Sequence, residues 1–135
     1  MRTVQGCSGF TIIELVVVLI ILAVLITIAT SIYFNYLGQA KITVANSVLD
    51  NAGKTLLNFE MDKGSYPASI DFTSCADDQG RMVFPSGLCD QMKEEFYSIE
   101  SYSLSGKGYV LTVRAKDNKL TLLTLTEGKI TIQGR

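Results

Sequence analysis

The residue of this chain best placed to do chemistry is Glu14, because it carries the only formal charge in an apolar run from Gly9 to Phe34. A carboxylate at the middle of a bilayer costs roughly 2.5–3.5 kcal/mol, and less near the interface, so it needs a partner. No Lys, Arg or His lies between Glu14 and Lys41. The nearest cation that the chain can make is a new α-amino group on Phe10, which cutting after Gly9 would create.

The apolar run is long enough to be a membrane anchor. From Phe10 to Phe34 there are 25 residues, which as a helix rising about 1.5 Å per residue would span the roughly 30 Å hydrocarbon layer. The aromatic residues Tyr33, Phe34 and Tyr36 cluster where this helix would leave the bilayer, a position typical of interfacial anchoring. Residues 10–34 are therefore predicted to form a transmembrane helix.

A family resemblance lies in the segment Gly9-Phe10-Thr11-Ile12-Ile13-Glu14-Leu15. It resembles the processing site of class III signal sequences, which are found in type IV pilins and in type II secretion pseudopilins. The resemblance implies that prepilin peptidase cuts between Gly9 and Phe10, that Phe10 is N-methylated, and that Glu14 pairs with a neighbouring subunit's amine during assembly. Many pilins have a proline about two-thirds of the way along this helix, where the chain has Thr30-Ser31, so a proline kink is not implied.

Two other kinds of N-terminal signal are alternatives to the class III signal. A secretory signal peptide would need a small-x-small cleavage site, for which Ala29-Thr30-Ser31 would serve, but the apolar run is too long and contains Glu14. Val4-Gln5-Gly6-Cys7 imitates a lipoprotein box, but it precedes the hydrophobic segment instead of following it. The class III signal remains the preferred interpretation, with residues 1–9 as its leader peptide.

Length and composition limit what the rest of the chain can be. The 135 residues leave room for one small soluble domain, residues 35–135, which includes the second half of the helix. The net charge is −1 and the basic residues are scattered, so we expect no binding to nucleic acid. The chain has no His, no recognisable nucleophile setting and no Gly-rich phosphate loop. We therefore expect neither an enzyme nor a cofactor.

The three cysteines suggest one disulfide. Cys7 would leave with the leader, and Cys75 and Cys89 remain as a pair in a domain expected to face an oxidising compartment. A disulfide is the leading interpretation, and two unpaired thiols are the alternative. The spacing does not fit a zinc site, because the chain has neither a second Cys pair nor a His.

Residues 68–106 are poorly patterned and rich in Ser, Asp and Gly, so they are predicted to be mostly loop, with a short helix possible at Asp90–Phe96. Asp71, Asp77 and Asp78 could be calcium ligands. Their order lacks the alternating oxygen donors and the Gly of a calcium loop, however, and a solvated acidic loop is favoured.

The segment that follows the apolar run keeps a helical pattern to about Lys63. Apolar residues recur at three- and four-residue steps and form one stripe, which comprises Ala45, Val48, Leu49, Ala52, Leu56 and Phe59. Gly53 interrupts the pattern at a cost of roughly 1 kcal/mol relative to Ala. The sequence Lys63-Gly64-Ser65-Tyr66-Pro67 is a stop signal, so the helix is predicted to end near Lys63.

From Lys107 the pattern alternates and predicts three strands. They are residues 109–114, 120–126 and 129–133, with turns at Lys116-Asp117-Asn118 and Glu127-Gly128. Short turns predict an antiparallel meander. One apolar face of the sheet needs cover; it could comprise Val110, Leu120, Leu122, Ile130 and Ile132, although the faces are not fixed by the pattern. The helix stripe can supply that cover.

The predicted fold class is therefore α+β. A long N-terminal helix has a transmembrane half and an amphipathic half, and the amphipathic half packs on a C-terminal antiparallel sheet of three to four strands. The family resemblance implies the same ladle-shaped arrangement.

The functional hypothesis is a structural subunit of a type IV pilus-like filament. The resemblance implies inner-membrane insertion with a cytoplasmic N-terminus, and then assembly into a helical homo-oligomer on the cell surface or in the periplasm. Its partners would be prepilin peptidase, an inner-membrane assembly platform and membrane lipid.

The alternatives are a type II secretion pseudopilin and a monomeric membrane-anchored binding domain. A mere anchor would not need Glu14. The calcium-binding C-terminal loop that is common in major secretion pseudopilins is not visible in this sequence. The strand-rich ending with a Cys pair resembles a pilin more closely, so a pilin is favoured.

Overall fold

The computed structural model describes residues 9–134, which form two helices and six strands. The helices are α1 (Ile12–Lys63) and α2 (Ser86–Glu95), and the strands are β1 (Ile70–Asp71), β2 (Ala76–Asp77), β3 (Phe96–Ser105), β4 (Gly108–Ala115), β5 (Leu122–Thr126) and β6 (Lys129–Gln133). The chain divides into two compact units, one up to Tyr36 and one from Leu37. The predicted α+β class is confirmed: the chain has a long N-terminal helix and a C-terminal antiparallel sheet.

The main sheet has four strands in the order β3-β4-β5-β6, and each strand is antiparallel to its neighbour. The three strands predicted from the alternating pattern are β4, β5 and β6. The turn between β5 and β6 is the expected Glu127-Gly128 pair, with φ of 48° and 81° at its two central residues. Two positive φ angles are the signature of the type I′ turn that joins tightly paired strands.

Strand β3 is a correction to the sequence analysis, which treated this stretch as loop. The strand carries two register shifts, between Phe96 and Ser98 and between Ile99 and Ser101. An extra residue at a bulge breaks the period-two alternation that identifies a strand in sequence. The predicted short helix also differs: α2 begins at Ser86, earlier than Asp90, and it ends at Glu95.

The predicted stripe on the second half of α1 is confirmed, because all six of its residues are buried. They share one apolar cluster with buried residues of the sheet, which are Phe96, Tyr109, Leu111, Val113, Ala115, Leu123 and Leu125. The suggested apolar face of the sheet was partly wrong. Of the five suggested residues, Ile130 packs against the core. Val110, Leu120 and Leu122 are only partly buried, and Ile132 is exposed. The chain neighbours Leu111 and Leu123 face the core instead.

Gly53 lets the helix approach the sheet. A Cβ added at this position would lie 3.2 Å from Leu125 Cδ2 and 3.2 Å from the Tyr109 hydroxyl oxygen. Contacts of this length are tighter than ordinary van der Waals contact. The glycine that weakens the helix in isolation is therefore explained by packing within the domain.

Helix α1 ends where the sequence predicts. Gly64 has a φ of 82°, and its backbone N–H donates to the carbonyl of Glu60 at 2.6 Å. A glycine in the left-handed region after the last helical residue is the usual way to satisfy a late helical carbonyl. The chain can then turn back along the domain.

The loop between α1 and α2 is held by backbone and side-chain bonds. Cys75 and Cys89 form a disulfide with their Cα atoms 6.1 Å apart, and the Cys75 carbonyl accepts hydrogen bonds from the backbone N–H groups of Val83 and Phe84. Farther along, the Lys93 ammonium donates to the Thr73 carbonyl at 2.8 Å. The disulfide and these bonds fix a segment that has little regular structure of its own.

The turn between β4 and β5 is organised by Asp117, which is buried. Its carboxylate accepts hydrogen bonds from the Thr121 N–H and the Thr121 hydroxyl, both at 2.7 Å, and from the Lys119 N–H at 3.3 Å. Burial raises the pKa of Asp117, but the hydrogen bonds from Thr121 and Lys119 lower it by more, so the pKa lies below its ordinary value. The ionised carboxylate therefore stabilises this turn.

Reducing the disulfide between Cys75 and Cys89 is expected to lower the free energy of unfolding by about 2–4 kcal/mol, because the unfolded chain regains the entropy of an open loop. Urea unfolding of the detergent-solubilised protein, with and without reductant, measures this change. A double Cys75→Ala/Cys89→Ala variant is the control and should not respond to reductant. Quantitative thiol labelling of both sulfurs in the unreduced, exported protein would contradict the prediction.

Replacing Asp117 with Asn is expected to lower the free energy of unfolding at neutral pH by about 1–3 kcal/mol, because buried donors lose an ionised acceptor. A depressed folded-state pKa contributes stability above the unfolded pKa, and this contribution disappears as pH falls through the folded value. The difference between wild type and variant should therefore shrink below about pH 4.

Urea titrations at several pH values measure the Asp117 effect. Asp78→Asn is the matched control, because Asp78 is an exposed aspartate in the same chain. A wild-type advantage over Asp117→Asn that stays constant from neutral pH to pH values near 2 would contradict the linkage.

Candidate processing and assembly site

The first half of α1 is apolar and exposed over its whole length. Every residue from Gly9 to Tyr36 is exposed in the structure. Helix α1 is long and apolar enough to cross a membrane, and none of its most apolar 18-residue window is buried. A core helix of a soluble protein would bury such a window. The exposed surface instead fits a segment that contacts lipid or other apolar helices.

Glu14 lies in the first turn of α1. A negative charge is favourable here, because the unpaired N–H groups at a helix N-terminus carry partial positive charge. Among residues 9–134, the ion pairs are Lys54–Asp50, Lys63–Asp62, Arg81–Asp77 and Arg114–Glu100. Glu14 takes part in none of the ion pairs of this described part of the chain.

The predicted cleavage position lies just outside the helix. Gly9 and Phe10 are exposed and precede Ile12, the first residue of α1. A peptide bond inside an α-helix has its carbonyl committed to an N–H four residues later, and the Gly9–Phe10 bond is free of that commitment. The predicted leader is described only at Gly9; residues 1–8, including Cys7, lie outside the described range.

Thr11 begins the helix, a role that the sequence analysis missed. Its carbonyl accepts the N–H of Leu15 at 3.1 Å, and its side-chain hydroxyl oxygen accepts the N–H of Glu14 at 3.3 Å. These two bonds define an N-cap residue. The signal was present in the sequence as Thr-Ile-Ile-Glu, which matches the Ser/Thr-x-x-Glu pattern of a capping box.

The helix continues through the position where many pilins have a proline. Thr30 donates its hydroxyl to the Ile26 carbonyl at 2.7 Å, and Thr27 does the same to Ala23 at 2.9 Å. Both hydroxyls bond to the helix's own backbone and leave its ladder intact. The aromatic residues Tyr33 and Phe34 lie edge to face with centroids 6.2 Å apart.

The described part of the domain, residues 37–134, has several open depressions on its surface. One of about 310 Å³ lies around Tyr66 and Lys107, and one of about 230 Å³ lies around Tyr109 and Glu127. Burial, together with a hydrogen bond to Glu60, raises the pKa of Tyr66 to about 12, so this phenol stays protonated at neutral pH. The described residues offer no paired nucleophile and base here.

Two of the three aspartates considered as calcium ligands, Asp71 and Asp77, accept hydrogen bonds from donors of their own chain. Asp71 accepts hydrogen bonds from the Thr73 N–H and the Ser74 hydroxyl, which lower its pKa. Asp77 accepts the N–H groups of Gln79 and Arg81 and the Arg81 Nε–H. In residues 9–134, no group of three or more His, Cys, Asp or Glu side chains could hold a metal ion.

Comparison with known proteins bears on the N-terminus. Residues 5–30 match the family described as the prokaryotic N-terminal methylation motif. No curated protein and no solved structure matches the chain. The matched stretch contains Gly9, Phe10, Thr11 and Glu14, the residues that the structure places at the start of α1. Residues 5–30 of this chain therefore match the N-terminal methylation motif, as does the class III signal sequence of type IV pilins and pseudopilins.

Proposed function

We propose that this protein is a structural subunit of a type IV pilus-like filament, which polymerises through its N-terminal helix. The observation that carries the proposal is the single carboxylate of Glu14, which lies in the first turn of an apolar helix that is exposed from its first residue to Tyr36. The methylation motif supports the same class, because proteins with this motif are structural and not catalytic.

The proposed role of Glu14 follows from the environment that it would have in a filament. Packed apolar helices form a core with little water, where an unpaired carboxylate is costly. Cleavage after Gly9 creates an amine on Phe10, and the amine of a neighbouring copy can form a charge-assisted hydrogen bond with Glu14. Since this pair forms only at one offset between the two helices, it would also set their axial register.

The proposed organisation follows from this role. Residues 1–9 are the leader, residues 10–34 are the transmembrane and assembly helix, and residues 35–135 are the soluble domain with the amphipathic part of α1. The subunit is stored in the inner membrane with its N-terminus in the cytoplasm, held by lipid and by the exposed apolar surface. Prepilin peptidase would cut it and methylate Phe10, and an inner-membrane assembly platform would add it to the filament.

A type II secretion pseudopilin is the alternative within this class, and a monomeric anchored domain is the alternative outside it. Pilins and pseudopilins share the methylation motif, so residues 5–30 do not separate them. The genomic neighbourhood does: a retraction ATPase favours a pilus, and an outer-membrane secretin with secretion cargo favours a pseudopilus. In the anchored-domain alternative, the charge of Glu14 would contribute nothing to anchoring.

Leader removal is expected in cells with an active prepilin peptidase, because the Gly9–Phe10 bond is exposed and outside the helix. Intact-mass analysis of the membrane-extracted protein should show a chain that begins at methylated Phe10. The peptidase-deficient strain is the control and should yield the uncut chain. A chain that still begins at Met1 in the peptidase-active strain would contradict the assignment.

Replacing Glu14 with Ala is expected to leave membrane insertion intact or improved, because a charge leaves the apolar segment, and to reduce filament assembly strongly. Glu14→Gln keeps the shape of the side chain but loses its charge, so it should show most of the same defect. Filaments recovered by shearing are compared with the membrane abundance of the subunit, with each variant as the only copy.

Glu94→Gln is the matched control for the Glu14 variants, because it removes an exposed carboxylate from α2 and should assemble normally. If Glu14→Ala assembles at the wild-type level, Glu14 is not a register contact. That outcome would favour the anchored-domain alternative.

A further inference from the structure

The hydrogen bonds of Thr11 single out a residue whose role the family motif does not state. Its hydroxyl oxygen accepts the Glu14 N–H at 3.3 Å, and its carbonyl accepts the Leu15 N–H at 3.1 Å. The first bond holds the backbone of the residue whose carboxylate is proposed to pair between copies. Thr11 therefore acts directly on the position of Glu14.

Such a bond matters more in an apolar environment than in water. The first four N–H groups of a helix have no partner within the helix, and in water the solvent satisfies them. In hydrocarbon or in a packed filament core, an unsatisfied N–H is expensive, so a side-chain acceptor is needed. Among the described residues at this end of the helix, the Thr11 hydroxyl satisfies the N–H of Glu14.

We propose that Thr11 is a positioning residue for assembly. Its hydroxyl fixes the first turn of α1 and thereby presents the Glu14 carboxylate to the Phe10 amine of the next copy. Without the cap, the first turn frays and the carboxylate loses its fixed position relative to the helix axis. This inference rests on the proposed function, and its test separates the two.

The helix itself offers a matched control. Thr27 and Thr30 carry hydroxyls in the same apolar segment, but each donates to the carbonyl four residues earlier. Replacing either with Val removes a hydroxyl and leaves no N–H without a partner. Thr11→Val makes the same chemical change, and it also leaves the Glu14 N–H without its acceptor.

The experiment expresses a C-terminally tagged variant together with untagged wild-type protein and measures the tagged fraction in sheared filaments relative to the processed fraction in membranes. Thr11→Val is expected to lower incorporation about tenfold, the effect of losing one helix cap. Thr11→Ser, which keeps the hydroxyl, and Thr27→Val should incorporate like wild type. Intact mass of the same samples reports leader cleavage.

A double-variant cycle shows whether Thr11 acts through Glu14. If it does, Thr11→Val adds little to the defect of Glu14→Gln, because the carboxylate that it positions has lost its charge. If the incorporation defect of the double variant equals the product of the two single-variant defects, Thr11 has an independent, purely structural role and the inference is overturned. The inference is also overturned if Thr11→Val incorporates at the wild-type level or loses leader cleavage completely. It is overturned as well if Thr11→Ser or Thr27→Val shows an equal defect.

The two proposals fail in different ways. If Glu14→Gln incorporates like wild type, the proposed assembly role of Glu14 is wrong, and the role of Thr11 falls with it. If Glu14→Gln is defective while Thr11→Val incorporates normally, only the positioning role is wrong.

Discussion

An ionised carboxylate in an apolar helix is unfavourable unless it is paired with a cation, and in this protein that carboxylate is Glu14. Its ionised form costs roughly 2.5–3.5 kcal/mol at mid-membrane depth, and the helix offers no basic residue before Lys41. The amine proposed to pair with Glu14 forms on Phe10 only when the predicted leader is cut. In the proposed function, processing and assembly are therefore coupled by electrostatics: the uncut chain lacks the cation that a neighbouring carboxylate needs. The N-cap at Thr11 begins the helix after the predicted cleavage site and places the carboxylate of Glu14 in its first turn.

Helix α1 serves two kinds of environment along its length. Up to Tyr36 it is exposed on all sides, as a helix that contacts lipid or other helices must be. From Ala45 to Phe59 it buries one stripe in the core of the domain. Gly53 allows the close approach to Leu125 and Tyr109, and the disulfide fixes the loop that follows. The residues of this apolar core all belong to the second unit.

Much of this fold could be predicted from the sequence, because helical periodicity and turn chemistry are local signals. The six-residue stripe, the helix end before Gly64 and the Glu127-Gly128 turn were all predicted and are found. Strand β3 was missed because two bulges break its alternation, and the core face of the sheet was misjudged because Leu120-Thr121-Leu122-Leu123 is apolar on both faces. At the N-terminus, a sequence motif identified Gly9, Phe10 and Glu14 as candidate site residues, whereas the cap at Thr11 became evident only from hydrogen-bond geometry. The Thr-x-x-Glu spacing that signals this cap is hidden within a motif that is usually interpreted as a processing signal.

The proposed function depends most on a contact between Glu14 of one copy and the amine of Phe10 in another. Solid-state NMR of filaments assembled from two pools tests it directly, with one pool carrying ¹⁵N-phenylalanine and the other carrying glutamate ¹³C-labelled at the side-chain carboxyl. The Phe10 amine is distinct from the other phenylalanine nitrogens, which are amides. We expect a nitrogen–carbon contact between the Phe10 amine and a glutamate carboxyl in the mixed filaments. If the contact is absent from mixed filaments but present in filaments whose copies carry both labels, it lies within one chain, and the proposed pairing between copies is wrong.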